Sequence, residues 1–129
     1  MSLIRSKNTK FEEKCFILLR TTKFRFRKHP KGIYGNPDAA NKRRKVAIFF
    51  DSDFWHGYNW KERKKDFRSR KNFWKSKIER NIVRDKTVSR ELRKRGWKVV
   101  RLWEHELHPS HSIQTKRKLM RVWNKATVR

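Results

Sequence analysis

The sequence predicts an α/β fold in which a mixed central sheet carries helices on its faces. Apolar residues recur at helical spacing between Thr9 and Arg20. A hairpin follows, in which Asp38 to Asn41 precedes the apolar run Val46 to Phe50. The longest helical pattern, Phe73 to Lys94, then leads into a further strand, Trp97 to Trp103. A helix and then a strand, placed after a hairpin, favour a mixed sheet with helices packed on it.

The first helix is predicted to begin at Thr9, because Thr9 and Glu12 fit a capping box with Thr9 as the N-cap. Residues 1–8 then form a short, basic N-terminal arm. Cys15 is the only cysteine of the chain and lies on the apolar face of this helix, so we expect it in the core. Glu12 has a structural interpretation as the third residue of the capping box, and a functional one that is considered below.

Three further segments complete the predicted fold. Thr22 to His29 alternates charged and aromatic residues, which predicts a strand with Phe24 and Phe26 facing inward. His56 to Arg70 lacks periodicity and is predicted to be a long basic loop. Residues 110–129 are predicted to hold a last helix.

The charge of the chain indicates its partner. The sequence carries 38 Lys+Arg and 12 Asp+Glu, which is a net charge of +26 over 129 residues, a length typical of one domain. An excess of this size predicts a polyanionic partner, for which the phosphate backbone is the obvious one. Aromatic residues form 13% of the chain, which argues against a disordered basic tail. Because the sequence shows no long apolar span and no signal peptide, we expect a cytoplasmic protein and no membrane partner.

Acidic residues are scarce, yet three of them converge on the predicted hairpin. Asp38 follows a Gly/Pro turn, and Asp51 and Asp53 follow the buried strand, with His56 shortly after. Carboxylates from neighbouring strands can hold Mg²⁺, which prefers oxygen ligands, and a histidine beside them can move protons. The alternative is structural, because Asp also favours turns and the first positions of loops. The clustering and the basic surroundings favour the functional interpretation, that of a metal-dependent phosphodiesterase.

The same residues resemble the core motif of the very-short-patch-repair (Vsr-type) DNA mismatch endonucleases, which belong to the PD-(D/E)xK nuclease superfamily. The resemblance rests first on Gly35-Asn36-Pro37-Asp38 and on Val46 to His56. Ile4 to Thr9 match before this motif. Further matches follow it in order over most of the chain, and they are Phe73-Trp74, Lys77-Ile78, Asn81, Arg84-Asp85, Gly96-Trp97, Val99 and Trp103-Glu104. The resemblance implies a restriction-endonuclease-like fold, with a mixed central sheet flanked by helices.

The resemblance also implies roles for the acidic residues. In the family, the Asp after Pro coordinates the catalytic magnesium, which makes Asp38 the first expected ligand. Asp51 is the second expected ligand, Glu12 is expected to support the site, and His56 is expected to handle protons. The best-known members have a histidine where Asp51 stands, so Asp51 can add ligand charge but is not assumed to do a histidine's work. Asp53 stands where the superfamily places a lysine, and it is a candidate supporting residue.

Aromatic and N-terminal residues are the expected DNA contacts. In the family, the aromatic pair of the core motif helps to form a wedge that enters DNA beside the mismatch, and apolar tips of the N-terminal arm enter from the other groove. Stacking on bases and apolar insertion into base steps are both physically sound for such side chains. The alternative is that the aromatic pair belongs to the core. The expected DNA-contacting residues are Phe54, Trp55, Met1, Ile4, Arg5 and Lys7.

Known members of the family also carry a structural zinc, held by His and Cys in the loop after the motif and after the last core strand. Here that loop reads from His56 to Trp60, and the later position is His105 instead of Cys. We therefore expect no structural zinc, with aromatic packing by Tyr58, Trp60 and Trp103 in its place.

The resemblance thus implies a magnesium-dependent endonuclease that nicks double-stranded DNA at or near a T·G mismatch, which that family prefers. We expect the protein to act as a monomer and to associate with the nucleoid of a prokaryote. One alternative is a nuclease of the same fold whose target is a sequence or a branched structure. The other is a non-catalytic basic DNA-binding protein, although pure phosphate binding gains nothing from three carboxylates beside the ligand.

Overall fold

The computed structural model describes the backbone of residues 2–66 and 72–126, and the side chains of these residues apart from 2–9, 66 and 72. The helices are α1 (Ser2–Thr21), α2 (Trp60–Arg63), α3 (Asn72–Lys94) and α4 (Ser112–Lys125). The strands are β1 (Arg27–Lys28), β2 (Ala39–Asn41), β3 (Val46–Asp51) and β4 (Lys98–Trp103). Short 3-10 turns cover Lys64–Asp66, Glu104–Leu107 and Pro109–His111.

Within the described ranges, the four strands form one mixed sheet in the order β1-β2-β3-β4. β1 and β2 pair antiparallel, as do β2 and β3, whereas β3 and β4 pair parallel. The parallel register places Val46 beside Lys98 and Asp51 beside Trp103. The predicted mixed sheet is therefore confirmed, and β3 is one of its two central strands.

Both faces of the sheet are covered, which is why β3 is an unbroken apolar run. On one face, Val46, Ile48 and Phe50 belong to a core shared with α1 and α4. On the other face, Ala47 and Phe49 pack with residues of α3. A four-stranded mixed sheet between helices is the restriction-endonuclease-like α/β fold that the sequence predicts. Among the described residues, no helix combines the length and apolar character needed to cross a bilayer.

The first helix is longer than predicted. α1 begins at Ser2 and not at Thr9, so the proposed capping box of Thr9 and Glu12 is wrong. Residues 2–8 contain neither Gly nor Pro, and nothing in them breaks a helix. The apolar face is as predicted, because Phe11, Cys15 and Leu19 are buried.

The predicted strand Thr22 to His29 is also wrong in length, since only Arg27–Lys28 pairs with β2. Lys23 and His29 have positive φ angles of 62° and 44°, which remove them from extended geometry. The prediction that Phe24 and Phe26 face inward is confirmed, since both pack against the core. The ring of Phe24 stacks on Trp123 of α4 at 4.5 Å, and Phe26 lies 5.4 Å from the same ring.

The segment predicted as an irregular loop from His56 to Arg70 contains helical turns, α2 and the following 3-10 turn, in its described part. Residues 67–70 of that prediction lie outside the described residues. The predictions for α3, β4 and α4 are confirmed to within a few residues. Gly96 ends α3 with φ of 88°, and the Trp97 N–H donates to the Leu92 carbonyl at 3.0 Å in a Schellman arrangement.

Candidate active site

The antiparallel pairing of the hairpin holds Asp38 beside β3. The Asp38 N–H donates to the Ile48 carbonyl at 3.0 Å, which extends the β2–β3 ladder by one residue. The Phe50 N–H donates to Oδ2 of Asp38 at 2.7 Å. One carboxylate oxygen of Asp38 is thus fixed by the backbone of the neighbouring strand, which sets the direction of the side chain.

Asp38 belongs to a first group of possible metal ligands, here called the Asp38 cluster, which consists of Glu12, His29 and Asp38. One ligand atom from each of the three lies within 4.8 Å of the others. Glu12 comes from α1, and its carboxylate pairs with Nε2 of His29. The His29 N–H donates to the Asp38 carbonyl at 2.9 Å, so the β1–β2 register brings His29 to this place. The structure therefore joins Glu12 to Asp38, as expected, and adds His29.

The second group, the Asp51 cluster, consists of Asp51, His56 and Asp85. Asp51 is the last residue of β3 and is only 1% exposed. Nδ1 of His56 lies 2.6 Å from Oδ2 of Asp85 on α3 and 3.6 Å from Oδ1 of Asp51. His56 is thus held between two carboxylates, one from the sheet and one from the helix that covers it.

Arg101 of β4 balances the charge of the Asp51 cluster. Its Nη1 atom donates to both carboxylate oxygens of Asp51, at 3.1 Å each. Its Nη2 atom donates to the Asp85 carbonyl and to Oγ of Ser89, both at 2.9 Å. Both oxygens of Asp51 therefore already accept hydrogen bonds, which distinguishes Asp51 from Asp38.

Asp38 and the whole Asp51 cluster line one cavity of about 200 Å³, together with Arg101 and others. The structure thus brings Asp38, Asp51 and His56 to one place, although Asp38 and Asp51 belong to different ligand groups. A reacting phosphate at this cavity would have carboxylates and an imidazole within reach.

Burial is the largest single influence on the pKa of each of these groups. It raises the pKa of Asp38, partly offset by the Phe50 N–H. It also raises the pKa of Asp51, against the favourable charge of Arg101. For His56, burial lowers the pKa, but the hydrogen bond to Asp85 and the charges of Asp51 and Asp85 outweigh it, so the pKa is raised overall. Buried carboxylates whose charge is costly are well suited to a cation, because a cation favours the ionised form.

Four aromatic rings, two from the loop after β3 and two from α3, form a surface patch. This aromatic patch consists of Phe54, Trp55, Phe73 and Trp74. The Phe54 ring lies 4.8 Å from Trp55, and Trp55 lies 5.2 Å from Trp74 of α3. The backbone carbonyl of Trp55 accepts from Nδ2 of Asn81 at 3.0 Å, which attaches the loop to α3. Phe54 is 43% exposed and Phe73 is 65% exposed, so a purely core role does not describe this patch.

Asp53 lies in a contact of a different kind. Its Oδ1 atom is 2.8 Å from Nδ1 of His105, and its N–H donates to Glu104 at 3.3 Å. The ring of Tyr58 lies 4.0 Å from His105 and 5.8 Å from Trp103. Tyr58 and Trp103 thus pack as expected, and Asp53 connects the loop after β3 to the turn after β4.

Trp60 attaches the same region to α3, since its Nε1 atom donates to Glu79 at 3.3 Å.

Of the expected N-terminal DNA contacts, Met1 lies outside the described residues. Ile4, Arg5 and Lys7 lie within α1, but their side chains are outside the described set.

Sequence reasoning missed three residues of the site, namely His29, Asp85 and Arg101. A signal existed for Asp85, because it is a carboxylate on the face of the long helix that otherwise carries apolar residues. Arg101 similarly stands in a strand whose neighbours at two-residue spacing are Val99 and Trp103. His29 precedes Pro30 in a turn-rich segment, and no pattern in the sequence connects it to Asp38.

A restriction-endonuclease-like sheet with carboxylate and histidine clusters beside one strand end defines a protein of the nuclease class. The family model described as DNA mismatch endonuclease Vsr matches residues 1–62. The chain is 46% identical over 99 residues to a type II nicking enzyme of Haemophilus parainfluenzae, covering 77% of this chain and 70% of the relative.

Two other similar proteins are also named as DNA-cleaving enzymes. A type II nicking enzyme of Neisseria meningitidis serogroup C is 41% identical over 103 residues, covering 80% of this chain and 70% of the relative. The DNA mismatch endonuclease Vsr of Escherichia coli K12 is 30% identical over 104 residues, covering 81% of this chain and 66% of the relative. The chain belongs to the Vsr family of DNA endonucleases. It is therefore an endonuclease that acts on DNA, and the non-catalytic alternative is set aside.

Proposed function

We propose that this protein nicks one strand of duplex DNA at or near a T·G mismatch, with magnesium as its cofactor. The observation that carries the proposal is the cavity lined by Asp38, Asp51 and His56, where His56 directly follows the aromatic pair Phe54 and Trp55 in the chain. Relatives named as nicking enzymes support cleavage of a single strand, and a relative named as a mismatch endonuclease supports the target.

Asp38 and Glu12 fit a magnesium ion, since both offer carboxylate oxygens in one cluster. Asp51 lines the same cavity as Asp38 and would add negative charge there, although Arg101 already engages its oxygens. When bound, magnesium would polarise the scissile phosphate and make a water molecule more acidic. The chain's own part is to hold these oxygens in place through the β2–β3 ladder.

His56 would move the proton. The bond from Nδ1 to Asp85 fixes one nitrogen of the ring and leaves Nε2 to accept or give a proton at the substrate. Asp85 is a positioning residue in this scheme, and Arg101 holds both Asp51 and the backbone at Asp85. General acid–base transfer of this kind contributes about 10²–10⁴-fold to rate.

Phe54 and Trp55 would deform the duplex beside the cleavage site. A mispaired step costs less to unstack than a paired one, so a protein that inserts aromatic side chains gains selectivity there. The contact of Trp55 with Trp74 supports a role for α3 in the same wedge. Met1 and Ile4 would enter from the other groove, with Arg5 and Lys7 on phosphates. The monomeric state and the location at the nucleoid remain predictions.

The test is a nicking assay on two 5′-labelled duplexes that differ only in one T·G pair, each with and without magnesium. The expected result is strand cleavage near the mismatch that requires magnesium and is much slower on the matched duplex. Equal rates on both duplexes would remove the mismatch target and leave a nuclease with a sequence or structure target. Cleavage of both strands at one place would contradict nicking.

A further inference from the structure

A second and larger cavity, of about 1040 Å³, shares Asp51, His56 and Asp85 with the cavity of the active site. From there it follows α3, whose lining residues run from Ile82 to Lys94. Twelve residues of helix rise about 18 Å, so the cavity is an elongated groove that has the catalytic residues toward one end. We call it the α3 groove.

Four cations of α3 line this groove at positions that follow one side of the helix, and they are Lys86, Arg90, Arg93 and Lys94. All four are exposed. Among the described side chains, those of residues 10–65 and 73–126, none of the four has an ion-pair partner. The acids that line the groove are Asp51 and Asp85, which are engaged by Arg101 and His56. The positive charge of the groove is therefore uncompensated.

A structural role explains only part of this charge. Cations in the last turn of a helix complement its dipole, which accounts for Arg93 and Lys94. Lys86 and Arg90 lie one to two turns earlier, where the dipole offers little. A solvated helix face would carry cations as well, but it would not need to form one wall of a concave groove that opens into the active site.

We propose that the α3 groove binds the sugar–phosphate backbone of the DNA strand that flanks the scissile phosphate on one side. The inference rests on the proposed function for the identity of the ligand. Lys86 and Lys94 are eight residues apart, which is about 12 Å along the helix, and a DNA strand advances about 3.4 Å per nucleotide along the duplex axis. The groove thus spans roughly three to four nucleotides. Contacts of this type set the register of the duplex and carry no base information.

The first test compares two triple variants of equal charge. The groove variant is Arg90→Gln, Arg93→Gln and Lys94→Gln. The control variant is Arg117→Gln, Arg121→Gln and Lys125→Gln, three exposed cations of α4, which packs on the opposite face of the sheet. Glutamine retains helix propensity in both. Duplex affinity is measured against salt concentration without magnesium, so that binding is read without cleavage.

The expected result is a log–log salt slope that is smaller by about 2–3 for the groove variant, since each lost phosphate contact removes about 0.9. The control variant should change the slope by less than about 1. Equal slopes for the two variants would overturn the inference. Should the triple variant fail to fold by circular dichroism, the single variants Arg90→Gln and Lys94→Gln should each lower the slope by about 1, and unchanged slopes would overturn it equally.

A second test uses duplexes shortened from one end at a time. The wild-type protein should lose affinity when nucleotides are removed from one particular side of the mismatch, and the groove variant should be insensitive to that side. Loss of affinity from the same truncation in both proteins would contradict the proposal.

The two proposals can fail separately. If the wild-type protein nicks no duplex but the groove variant still shows the smaller slope, the proposed activity fails and the groove assignment stands. If nicking near T·G is normal and the groove and control variants behave alike, the groove assignment alone is wrong.

Discussion

Nδ1 of His56 lies 2.6 Å from Oδ2 of Asp85, a residue 29 positions later in the chain. The contact joins the loop after β3 to the helix that covers the sheet, and it places the histidine at the cavity that Asp38 and Asp51 also line. Asp85 thus orients the ring of His56, the residue to which the proposed mechanism assigns proton transfer.

Asp85→Asn should lower the nicking rate by on the order of 10²-fold, because the ring loses its orientation and its charged partner. DNA affinity should remain near wild type. Glu79→Gln is the matched control, since Glu79 is another α3 carboxylate but contacts Trp60 instead of the histidine. Single-turnover nicking and a binding titration would measure both variants. An Asp85→Asn protein with a wild-type rate would show that the contact is only structural.

Asp38→Asn should abolish cleavage and leave DNA affinity equal or higher, because a negative charge beside the phosphate is removed. The Phe50 N–H can still donate to the amide oxygen, so the fold should persist. The readouts are nicking in magnesium, duplex affinity and a thermal melt. Retained cleavage in the variant would remove Asp38 from the catalytic site.

Replacement of both Phe54 and Trp55 by alanine should lower the preference for T·G over the matched duplex by about 10–100-fold, since stacking contributes about 1–3 kcal/mol per base. Non-specific affinity should fall less, because Lys and Arg provide it. Circular dichroism checks that the variant is folded. The loss of Phe54 should not unfold the protein, because this side chain is 43% exposed. Unfolding of Phe54→Ala alone would mean that this ring stabilises the core.

Arg101→Met should destabilise the protein by about 3–5 kcal/mol, because it leaves the buried Asp51 carboxylate without its partner. Arg95→Met is the control, since Arg95 pairs with Glu91 at an exposed site and should cost about 1 kcal/mol or less. Urea denaturation gives both values. The double variant Arg101→Met with Asp51→Leu should recover much of the loss, and no recovery would point to the Ser89 and Asp85 contacts instead.

The purified protein should contain no stoichiometric structural zinc, and a chelator should stop nicking without unfolding it. The only cysteine, Cys15, is buried on the core-facing side of α1, and the loop after β3 pairs Asp53 with His105. Elemental analysis and a thermal melt in chelator would measure this. One tightly held zinc per chain would contradict the prediction.

The part of the site that lies on the hairpin could be predicted from sequence, because its signals are local. Asp38 follows a Gly/Pro turn, and the run Val46 to Phe50 ends at Asp51, so one short segment carries both the strand and the acids. The partners of those acids could not be predicted in the same way. The local pattern around Glu12 predicts only a capping box, which the longer α1 removes, and its place at the site is implied by the family resemblance alone. His29 reaches Asp38 only through the β1–β2 register.

The amino-acid sequence by itself determined the α/β class, the buried central strand, the apolar faces of α1 and α3, and the net positive charge that favours a polyanion. Periodicity, turn residues and net charge are properties of the chain alone. Only the tertiary structure decided that the described residues form two ligand clusters and that Asp51 pairs with Arg101. The parallel pairing of β3 with β4 puts Arg101 against Asp51, and the packing of α3 on that face brings Asp85 to His56. These contacts depend on strand register and helix docking, which arise from packing between segments distant in the chain.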